Sequence, residues 1–549
     1  MSVSLGCRPA RVAAALTLAL VAEEAAPRAL PGQAVDTVVV RVQNVFDHEP
    51  RAPALLARLA NAFHATTRPW VIRRALLFGA GSPYDSARMV ESERALRRLN
   101  VFRSVKLDTV RLDGRLAVRA ETADGWSTVP QVGYGTSAGS VQWEAGIIEE
   151  NMLGTATQVG VDYKSNPDRH ELVLRFARPS LLVRHDIAAA EYLDRSDGTL
   201  ADWIYGVPFY ESATPRALTT DGEMANDRVL VFRDGILAAS PQRHALRFTV
   251  TTGLASSASS TGFTRLLLAA SWRREDFGAD STAGVPYSAF GTVGIGLDMG
   301  RTRLRVVQNL NSFARREDAD ISDRLNLGVW AAPRAFGYQQ GHEGAGLAAA
   351  VQAGGTWPGG FGVVRAAADG VYGQAGLDSA RVTGRFTAVQ FATPAQVVVV
   401  HAEAGALRQQ TPGNEFDLWT YNNGPRLFSA HTFTGNRMFS ALLEDRIALR
   451  SAVLGVLDVG LAPFVDFGGA WYSDESPRLA ADAGASLRLG LTRGSSGDVV
   501  EYAVGYRFGD PAVGRGWALT IRSAIILFRS GIRRTGGAPS TYGPPLLPR

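Results

Sequence analysis

The residue types that perform most enzyme chemistry are present in the chain, but they are not grouped into sites. The eight histidines show no metal-ligand spacing and stand at positions 48, 64, 170, 185, 244, 342, 401 and 431. The carboxylate pairs Glu149–Glu150 and Glu444–Asp445 do not share a face if they lie in strands, because neighbouring strand residues point to opposite sides. No phosphate-binding loop or dinucleotide fingerprint stands out. The sequence therefore predicts a protein that is not an enzyme, with no catalytic residue, metal ligand or cofactor.

The composition of the chain excludes two further classes of protein, helical membrane proteins and nucleic-acid-binding proteins. The 549 residues are 46% hydrophobic and 20% charged, with a net charge of +5 and 58 glycines. Beyond residue 35 no apolar run approaches the 18 or so residues that a membrane helix needs, which excludes a helical membrane protein. The arginines are scattered without basic clusters, so nucleic acid is not an expected partner. The many glycines favour turns and curved sheets.

The N-terminus resembles an export signal. Arg8 and Arg11 precede an apolar stretch over 12–22, and small residues follow it, with possible cleavage sites after Ala26 and Ala34. We therefore predict a signal peptide over 1–34, with an N-terminal tail as the alternative. Cys7 is the only cysteine of the chain and lies inside this segment. The exported chain would then lack disulfides, cysteine metal sites and thiol chemistry.

Residues 35–124 have the pattern of a small α+β domain. A β-rich start is followed by segments of helical periodicity, and two strands joined at Asp113–Gly114 complete the domain. The predicted helices cover 50–63, the stretch after Pro69 and 86–99, and the predicted closing strands cover 105–111 and 116–122. The order is β-α-α-β-β with an additional early helix.

Residues 125–529 change to short strands in which apolar and polar residues alternate. Val159, Val161 and Tyr163 alternate with polar or small residues, and further segments repeat this pattern with arginine, threonine or glycine on the opposite face. Tryptophan and tyrosine often stand at strand ends. Apolar-out, polar-in strands with aromatic ends are typical of a transmembrane antiparallel β-barrel. At roughly 25 residues per strand with its loop, the segment gives about 16 strands. A propeller or solenoid is disfavoured because no repeat of about 40–50 residues is visible.

Local strings resemble the bacterial surface-antigen type of outer-membrane assembly factor, the superfamily that includes BamA and TamA. In the first domain the resemblance to a polypeptide-transport-associated (POTRA) domain is carried by "VIRRALLFGAGSPYDSARMVESERALRRLNVFRSVKL". In the barrel it is carried, in order, by "ADGWSTVP", "GIIEENMLGTATQVGVDY", "YGVPFYES", "GPRLFSAHTFTGNRMFSALLEDRIAL", "LAPFVDFGGAWY", "GASLRLGL" and "VVEYAVGYRFG". The resemblance spans nearly the whole exported chain. It implies one periplasmic POTRA domain that binds extended clients at a sheet edge, followed by an outer-membrane barrel.

The resemblance also implies a locked loop inside the barrel. The family's sixth loop carries a Val-Arg-Gly-Phe/Tyr tip that folds into the lumen, and Arg426 and Phe428 match its arginine and aromatic residue. Pro425 and Leu427 depart from the family pattern at the valine and glycine. Asp466 matches the family's acidic partner of the arginine. A guanidinium fork can bind a carboxylate through two hydrogen bonds, which would hold the loop, and an ordinary lumen ion pair is the alternative.

The family mechanism further implies a lateral gate between the first and last barrel strands, here about 128–136 and 517–527. Pro130, Gly133 and Gly135 weaken pairing of the first strand, which fits a gate and also fits a simple strand start. The candidate gate residues of the last strand are Trp517, Leu519 and Ile521.

The resulting expectation is an outer-membrane barrel that assists the insertion, assembly or translocation of other proteins. Expected partners are the outer-membrane bilayer, unfolded outer-membrane or secreted polypeptides, and periplasmic accessory proteins. The alternative is a passive pore or receptor barrel in which the first domain is only a spacer. Residues 530–549, rich in proline, glycine and arginine, are expected to form a disordered extension.

Overall fold

The structure is a computed structural model. It describes residues 32–46, 58, 61, 64–137, 140–277, 288–313, 315–333, 344–373, 376–408, 413–418, 424–495, 497–510, 513–524 and 527. The predicted C-terminal extension and most of the predicted signal peptide lie outside these residues, as does the helix predicted over 50–63 apart from positions 58 and 61. In the described part of the chain, no helix has the length and apolar character needed to cross a membrane.

The N-terminal unit is a three-stranded sheet with two helices packed on it. Its elements are β1 (Thr37–Gln43), α1 (Pro69–Ala75), α2 (Ser86–Arg98), β2 (Phe102–Leu112) and β3 (Arg115–Asp124). The strand order is β1-β3-β2, and β1 runs parallel to β3. Pro69 stands in the first turn of α1, and the Asp85 carboxylate caps α2 by accepting from the Ala87 amide at 2.8 Å. Ile72, Leu76 and Leu96 are fully buried in the core between helices and sheet.

Twenty strands of the described chain form one closed antiparallel barrel, as the sequence pattern predicts for the fold class. In chain order they are β4 (Thr128–Ser137), β5 (Ser140–Met152), β6 (Thr157–Ser165), β7 (His170–Pro179), β8 (Ile187–Arg195), β9 (Gly198–Val207), β10 (Arg216–Arg228), β13 (Gln242–Ser259), β14 (Gly262–Phe277), β15 (Ser288–Arg301), β18 (Asp323–Ala332), β19 (Gly344–Trp357), β20 (Gly360–Gly373), β21 (Gly376–Thr393), β22 (Gln396–Arg408), β25 (Arg437–Val453), β26 (Leu457–Trp471), β27 (Ala480–Leu491), β28 (Val499–Phe508) and β29 (Arg515–Ser523).

In the described parts of the connections, three two-stranded ribbons are separate from the barrel sheet. They are β11 (Val231–Arg233) with β12 (Ile236–Ala239), β16 (Leu304–Val307) with β17 (Glu317–Asp320), and β23 (Phe416–Asp417) with β24 (Thr434–Gly435).

The predicted number of about 16 strands is wrong. The estimate assumed roughly 25 residues per strand with its loop, whereas several turns of this barrel are much shorter than that spacing allows. The turns 260–261, 358–359 and 394–395 contain two residues each. Short turns on one end therefore leave room for twenty strands in the same length of chain.

Side chains of the barrel strands alternate between an apolar outer surface and a polar lumen. On β26 and its neighbour β25, Val465 and Leu443 are about half exposed on the outside, while Asp466 and Glu444 are buried inside. On β28, Tyr502 and Val504 point outward and Glu501 is fully buried. Such a distribution is the reverse of a soluble barrel and matches a barrel whose outer surface contacts lipid.

The N-terminal unit contacts one end of the barrel, which we call the domain end, and we call the opposite end the far end. Because β4 begins directly after the N-terminal unit and successive strands are antiparallel, the turns after β5, β7 and every second strand thereafter lie at the domain end. Contacts agree with this placement: Arg68 Nε donates to the Leu153 carbonyl at 3.1 Å, and Arg184 Nε donates to the Arg74 carbonyl at 3.1 Å. The connections after β4, β6 and every second barrel strand thereafter, among them the long loop between β22 and β25, lie at the opposite, far end.

Candidate functional site

The barrel closes through a seam between β29 and β4 that is shorter than its other strand pairings. The register pairs Leu519 with Thr136, Thr520 with Gly135 and Ile521 with Tyr134, and the ladder has these three positions alone, although both strands are described throughout. On the other side of β4, ten positions pair with β5 over 128–137. On the other side of β29, nine positions pair with β28. The seam is therefore the point at which the fewest backbone hydrogen bonds hold the barrel closed.

The structure divides the predicted gate residues into two groups. Gly135, Leu519 and Ile521 lie in the three-residue ladder. Pro130 and Gly133 pair with β5 but lie on the part of β4 that has no partner in β29, and Trp517 pairs with Tyr506 of β28 but not with β4. Proline has no N–H to donate, so Pro130 weakens any extension of the ladder along this part of β4.

Arg426 lies inside the barrel and is bound to Asp466 through a two-pronged contact. Its Nε donates to Asp466 Oδ2 at 2.6 Å and its Nη2 donates to Oδ1 at 3.0 Å, while the Arg426 amide also donates to Oδ2 at 3.2 Å. The arginine side chain is completely buried. The structure thus brings together the two residues that the family resemblance pairs, one on the far-end loop and one on the wall strand β26.

Further wall residues complete the surroundings of Arg426. Glu444 Oε2 accepts from Arg426 Nη2 at 3.1 Å, Glu501 Oε2 lies 3.6 Å from Nη1, and the Phe464 ring lies under the guanidinium at 3.9 Å. The sequence analysis did not identify Glu444, Glu501 or Phe464 as partners of Arg426. Glu444 and Glu501 each stand at a polar position of an alternating strand, and this signal was available in the sequence.

Leu427 and Phe428, the two residues that follow Arg426, also anchor the loop. The Leu427 amide donates to Asp482 Oδ2 at 2.8 Å, and its side chain packs among buried wall residues. A Cβ at Gly505 would stand 2.9 Å from Leu427 Cδ1, so glycine at this wall position leaves room for the leucine that replaces the family's glycine. Phe428 packs edge-on against Phe433 at 5.2 Å, with the Arg507 guanidinium 5.9 Å from its ring.

The loop that carries Arg426 is also fixed at the far end by His431. Its Nδ1 lies 2.6 Å from Asp417 Oδ2 and its Nε2 lies 2.8 Å from Asp168 Oδ2, so the imidazole bridges two loops. The ring stacks on Phe232 of the β11–β12 ribbon with centroids 3.6 Å apart. Burial alone would lower the pKa of His431, but the hydrogen bonds to Asp168 and Asp417 outweigh it and raise the pKa to about 9. The histidine is thus charged at neutral pH and holds three far-end loops together.

Two groupings that look like catalytic sites do not form one. His64 contacts Ser127 Oγ at 3.1 Å and Asp124 Oδ2 at 3.0 Å, but Ser127 is 2% exposed and the group lies at the junction between N-terminal unit and barrel. Ser137, the serine of the string Gly-x-Ser-x-Gly, ends strand β4 and pairs with Ser140 of antiparallel strand β5, whereas a nucleophile elbow requires a strand-to-helix turn. Among the described residues, no cluster of three or more His, Cys, Asp or Glu side chains is arranged to bind a metal.

Comparison with known proteins returned similarities to solved barrels. No protein-family model matches the chain. BamA from Haemophilus ducreyi lacking POTRA domains 1–3 is 13% identical with a TM-score of 0.35, covering 89% of this chain and 84% of that one. CdiB from Acinetobacter baumannii is 10% identical with a TM-score of 0.42, covering 89% and 73%. CdiB from Escherichia coli is 12% identical with a TM-score of 0.40, covering 92% of each chain.

Proposed function

We propose that this protein spans the outer membrane and, without enzymatic chemistry, assists the insertion or translocation of other polypeptides through a lateral gate between β4 and β29. The N-terminal unit is then a POTRA-type domain in the periplasm. Expected clients are unfolded outer-membrane or secreted polypeptides, with periplasmic accessory proteins as further partners.

The outer surface of the barrel supports the membrane location. Large apolar side chains are exposed all around the described wall, for example Val161 on β6, Leu268 on β14, Val382 on β21 and Val504 on β28. A soluble protein rarely exposes a continuous apolar surface of this extent, because water contact with it is unfavourable. A closed barrel also leaves no strand edge unpaired in the lipid, which is the condition for strands to cross a bilayer.

The three-residue seam is the observation that carries the gate proposal. Outside the positions of Leu519, Thr520 and Ile521, no ladder pairing joins the described residues of β4 and β29. Unpaired N–H and C=O groups are costly in lipid, and an incoming strand can satisfy them by pairing with β4 or β29. The free energy for client insertion then comes from strand pairing and burial by the client, which needs no nucleotide site.

The N-terminal sheet supports a role in receiving clients. Since its order is β1-β3-β2, both β1 and β2 are edge strands of that sheet. An extended polypeptide can add to such an edge through main-chain hydrogen bonds, which is largely independent of its sequence. Because this binding depends little on sequence, it suits a domain that delivers different clients to the same gate.

A passive pore is the second candidate, and the lumen argues against it. At the far end the loop carrying Arg426 lies in the lumen, bound to Asp466 of the wall. At the domain end Leu310, from the connection between β15 and β18, is fully buried against residues of β20 and β22. Both ends of the lumen therefore contain ordered protein, whereas a steady conductance requires a continuous water path.

The test is reconstitution in liposomes followed by the folding rate of an unfolded outer-membrane barrel added from outside. In a Cys7→Ser background, Tyr134→Cys with Ile521→Cys places two cysteines at paired positions of the seam. Tyr163→Cys with Leu172→Cys makes the same kind of pair across the fully formed β6–β7 ladder and serves as the control.

We expect the protein to accelerate client folding, oxidation of the seam pair to abolish the acceleration, and oxidation of the control pair to leave it unchanged. No acceleration together with a stable conductance would establish the passive pore. If oxidation of either pair reduced the acceleration of client folding equally, then general flexibility of the barrel wall, and not opening of the seam, would be what client folding requires.

A further inference from the structure

The connection between β15 and β18 is an insertion with its own structure at the domain end of the barrel. We call residues 304–320 the inner hairpin. Its arms β16 and β17 pair from Leu304–Asp320 to Val307–Glu317. Its tip enters the barrel, where Leu310 is completely buried with Val397 and Val399 of the wall. The proposed insertion activity gives this hairpin no role.

The tip of the inner hairpin is bound by arginines of the lumen wall. Arg446 Nη1 donates to the Leu310 carbonyl at 2.6 Å, and the Arg488 guanidinium lies 5.6 Å from the Phe313 ring. Arg446 Nε also donates to Glu444 Oε1 at 2.9 Å, and the other oxygen of Glu444 accepts from Arg426. The carboxylate of Glu444 therefore links the two lumen segments, by accepting directly from Arg426 of the far-end loop and from Arg446, which binds the hairpin tip.

The base of the inner hairpin is bound to helix α2 of the N-terminal unit. Arg97 Nε donates to Asp318 Oδ2 at 2.8 Å and Arg97 Nη2 donates to Asp318 Oδ1 at 2.9 Å. Arg94 lies 3.7 Å from the same carboxylate, and Arg316 lies 3.5 Å from Glu93. The Arg97 and Asp318 side chains are only 11% and 12% exposed, so solvent screens this pair less than a surface pair.

The tip of the inner hairpin also binds the chain that leaves the closing strand β29. Asn311 Nδ2 donates to the Leu527 carbonyl at 2.8 Å, and the Leu527 amide donates to Asn311 Oδ1 at 2.8 Å. One side-chain amide thereby satisfies both backbone groups of a buried residue. Glu317 orients this amide by accepting from Asn311 Nδ2 at 2.7 Å.

These contacts place the inner hairpin between the N-terminal unit and the weakest seam of the barrel. We infer that the inner hairpin holds β29 in the closed position and couples that position to helix α2, with Asn311 and Asp318 as the positioning residues. Movement of α2 pulls on Asp318 and displaces the hairpin tip. Displacement of Asn311 breaks both hydrogen bonds to Leu527 at once and frees the end of β29. The three-residue ladder to β4 then carries the closure alone.

The inference rests on the proposed gate, but it can be tested without a client polypeptide. The Tyr134→Cys, Ile521→Cys protein in bilayers reports closure of the seam through the rate at which the disulfide forms. We compare this parent with versions that also carry Asn311→Ala, Asp318→Asn or Arg97→Gln. Asp36→Asn, which removes an exposed ion-pair partner of Arg115 in the same domain, is the matched control.

We expect Asn311→Ala, Asp318→Asn and Arg97→Gln each to slow disulfide formation by about threefold to tenfold, which lies within the range typical of energetic coupling between linked sites. The double variant with Asp318→Asn and Arg97→Gln should slow disulfide formation no more than the stronger of the two single changes, because both changes remove the same contact. Asp36→Asn should match the parent. Unchanged rates in Asp318→Asn and Arg97→Gln would overturn the coupling, and an unchanged rate in Asn311→Ala would overturn the hold on β29. If these variants slow disulfide formation as expected but the protein does not accelerate client folding, the coupling stands and the proposed function is rejected.

Discussion

Arg426 and Asp466 form a two-pronged ion pair in the lumen, with Nε–Oδ2 at 2.6 Å and Nη2–Oδ1 at 3.0 Å. The two residues are 40 positions apart, and they join the far-end loop to the wall strand β26. Because the arginine side chain is fully buried, its charge depends on the acidic residues around it.

Asp466→Asn should therefore release the loop. Removing one partner of a buried pair typically costs about 3–5 kcal/mol, although Glu444 and Glu501 will compensate part of the charge. We expect frequent conductance openings in planar bilayers and a lower unfolding temperature. Asp194→Asn, on the exposed outer side of β8, should change neither property. A quiet, equally stable Asp466→Asn protein would mean that the loop is held by its other contacts.

The fold class was predictable from the sequence because the alternation of apolar and polar residues is local to each strand. The number of strands was not, since two-residue turns such as 260–261 leave no distinctive mark in an alternating pattern. The pairing of Arg426 with Asp466 came from a resemblance to a family motif. The inner hairpin escaped the sequence analysis because its arms are four residues long and its partners are distant, with Asn311 and Leu527 separated by 216 positions.

Gly505 should be a sensitive position of the wall. A Cβ there would stand 2.4 Å from the Ala483 carbonyl oxygen and 2.9 Å from Leu427 Cδ1, so backbone as well as side chain must move. We expect Gly505→Ala to destabilise the barrel by about 1–3 kcal/mol. The control is Gly384→Ala, since nothing lies within 4 Å of a Cβ at Gly384. The measurement is denaturant unfolding in detergent, and equal stability of the two variants would contradict the packing argument.

The far-end loops should loosen at alkaline pH. The pKa of His431 is raised from 6.5 to about 9, so its charge favours the folded arrangement. This contribution is fully present below about pH 6.5 and is lost as the pH rises through about 9. Protease cleavage of the far-end loops should therefore accelerate between pH 7 and 10. In His431→Gln the cleavage rate should be higher at neutral pH and nearly independent of pH over this range. A parallel rise in both proteins would assign the effect to other groups.

The domain end should respond in the opposite direction. His185 stacks on Tyr210 with centroids 4.1 Å apart, and burial, with a smaller effect from Arg184, lowers the pKa of His185 to about 4. The folded state therefore favours the neutral ring, and this preference stabilises the turn above about pH 6.5 and is lost as the pH falls towards 4. Hydrogen exchange of the 180–186 turn should quicken as the pH is lowered through this range, after correction for intrinsic exchange. His185→Phe should abolish the pH dependence while keeping the stack.

Strengthening β4 should reduce opening of the seam. Glycine in a strand costs about 0.5–1 kcal/mol relative to alanine through its greater freedom in the unfolded or unpaired state. A Cβ at Gly133 would meet the Glu144 Cβ at 3.3 Å, a contact that a small side-chain shift relieves. In the Tyr134→Cys, Ile521→Cys protein, Gly133→Ala should raise the rate of disulfide formation about twofold to fivefold. Without the cysteines, it should slow client folding by a similar factor. Gly355→Ala on β19, where a Cβ meets nothing within 4 Å, controls for a general gain in strand stability. If Gly133→Ala speeds disulfide formation and leaves client folding unchanged, the seam opens and closes but is not the path that the client takes.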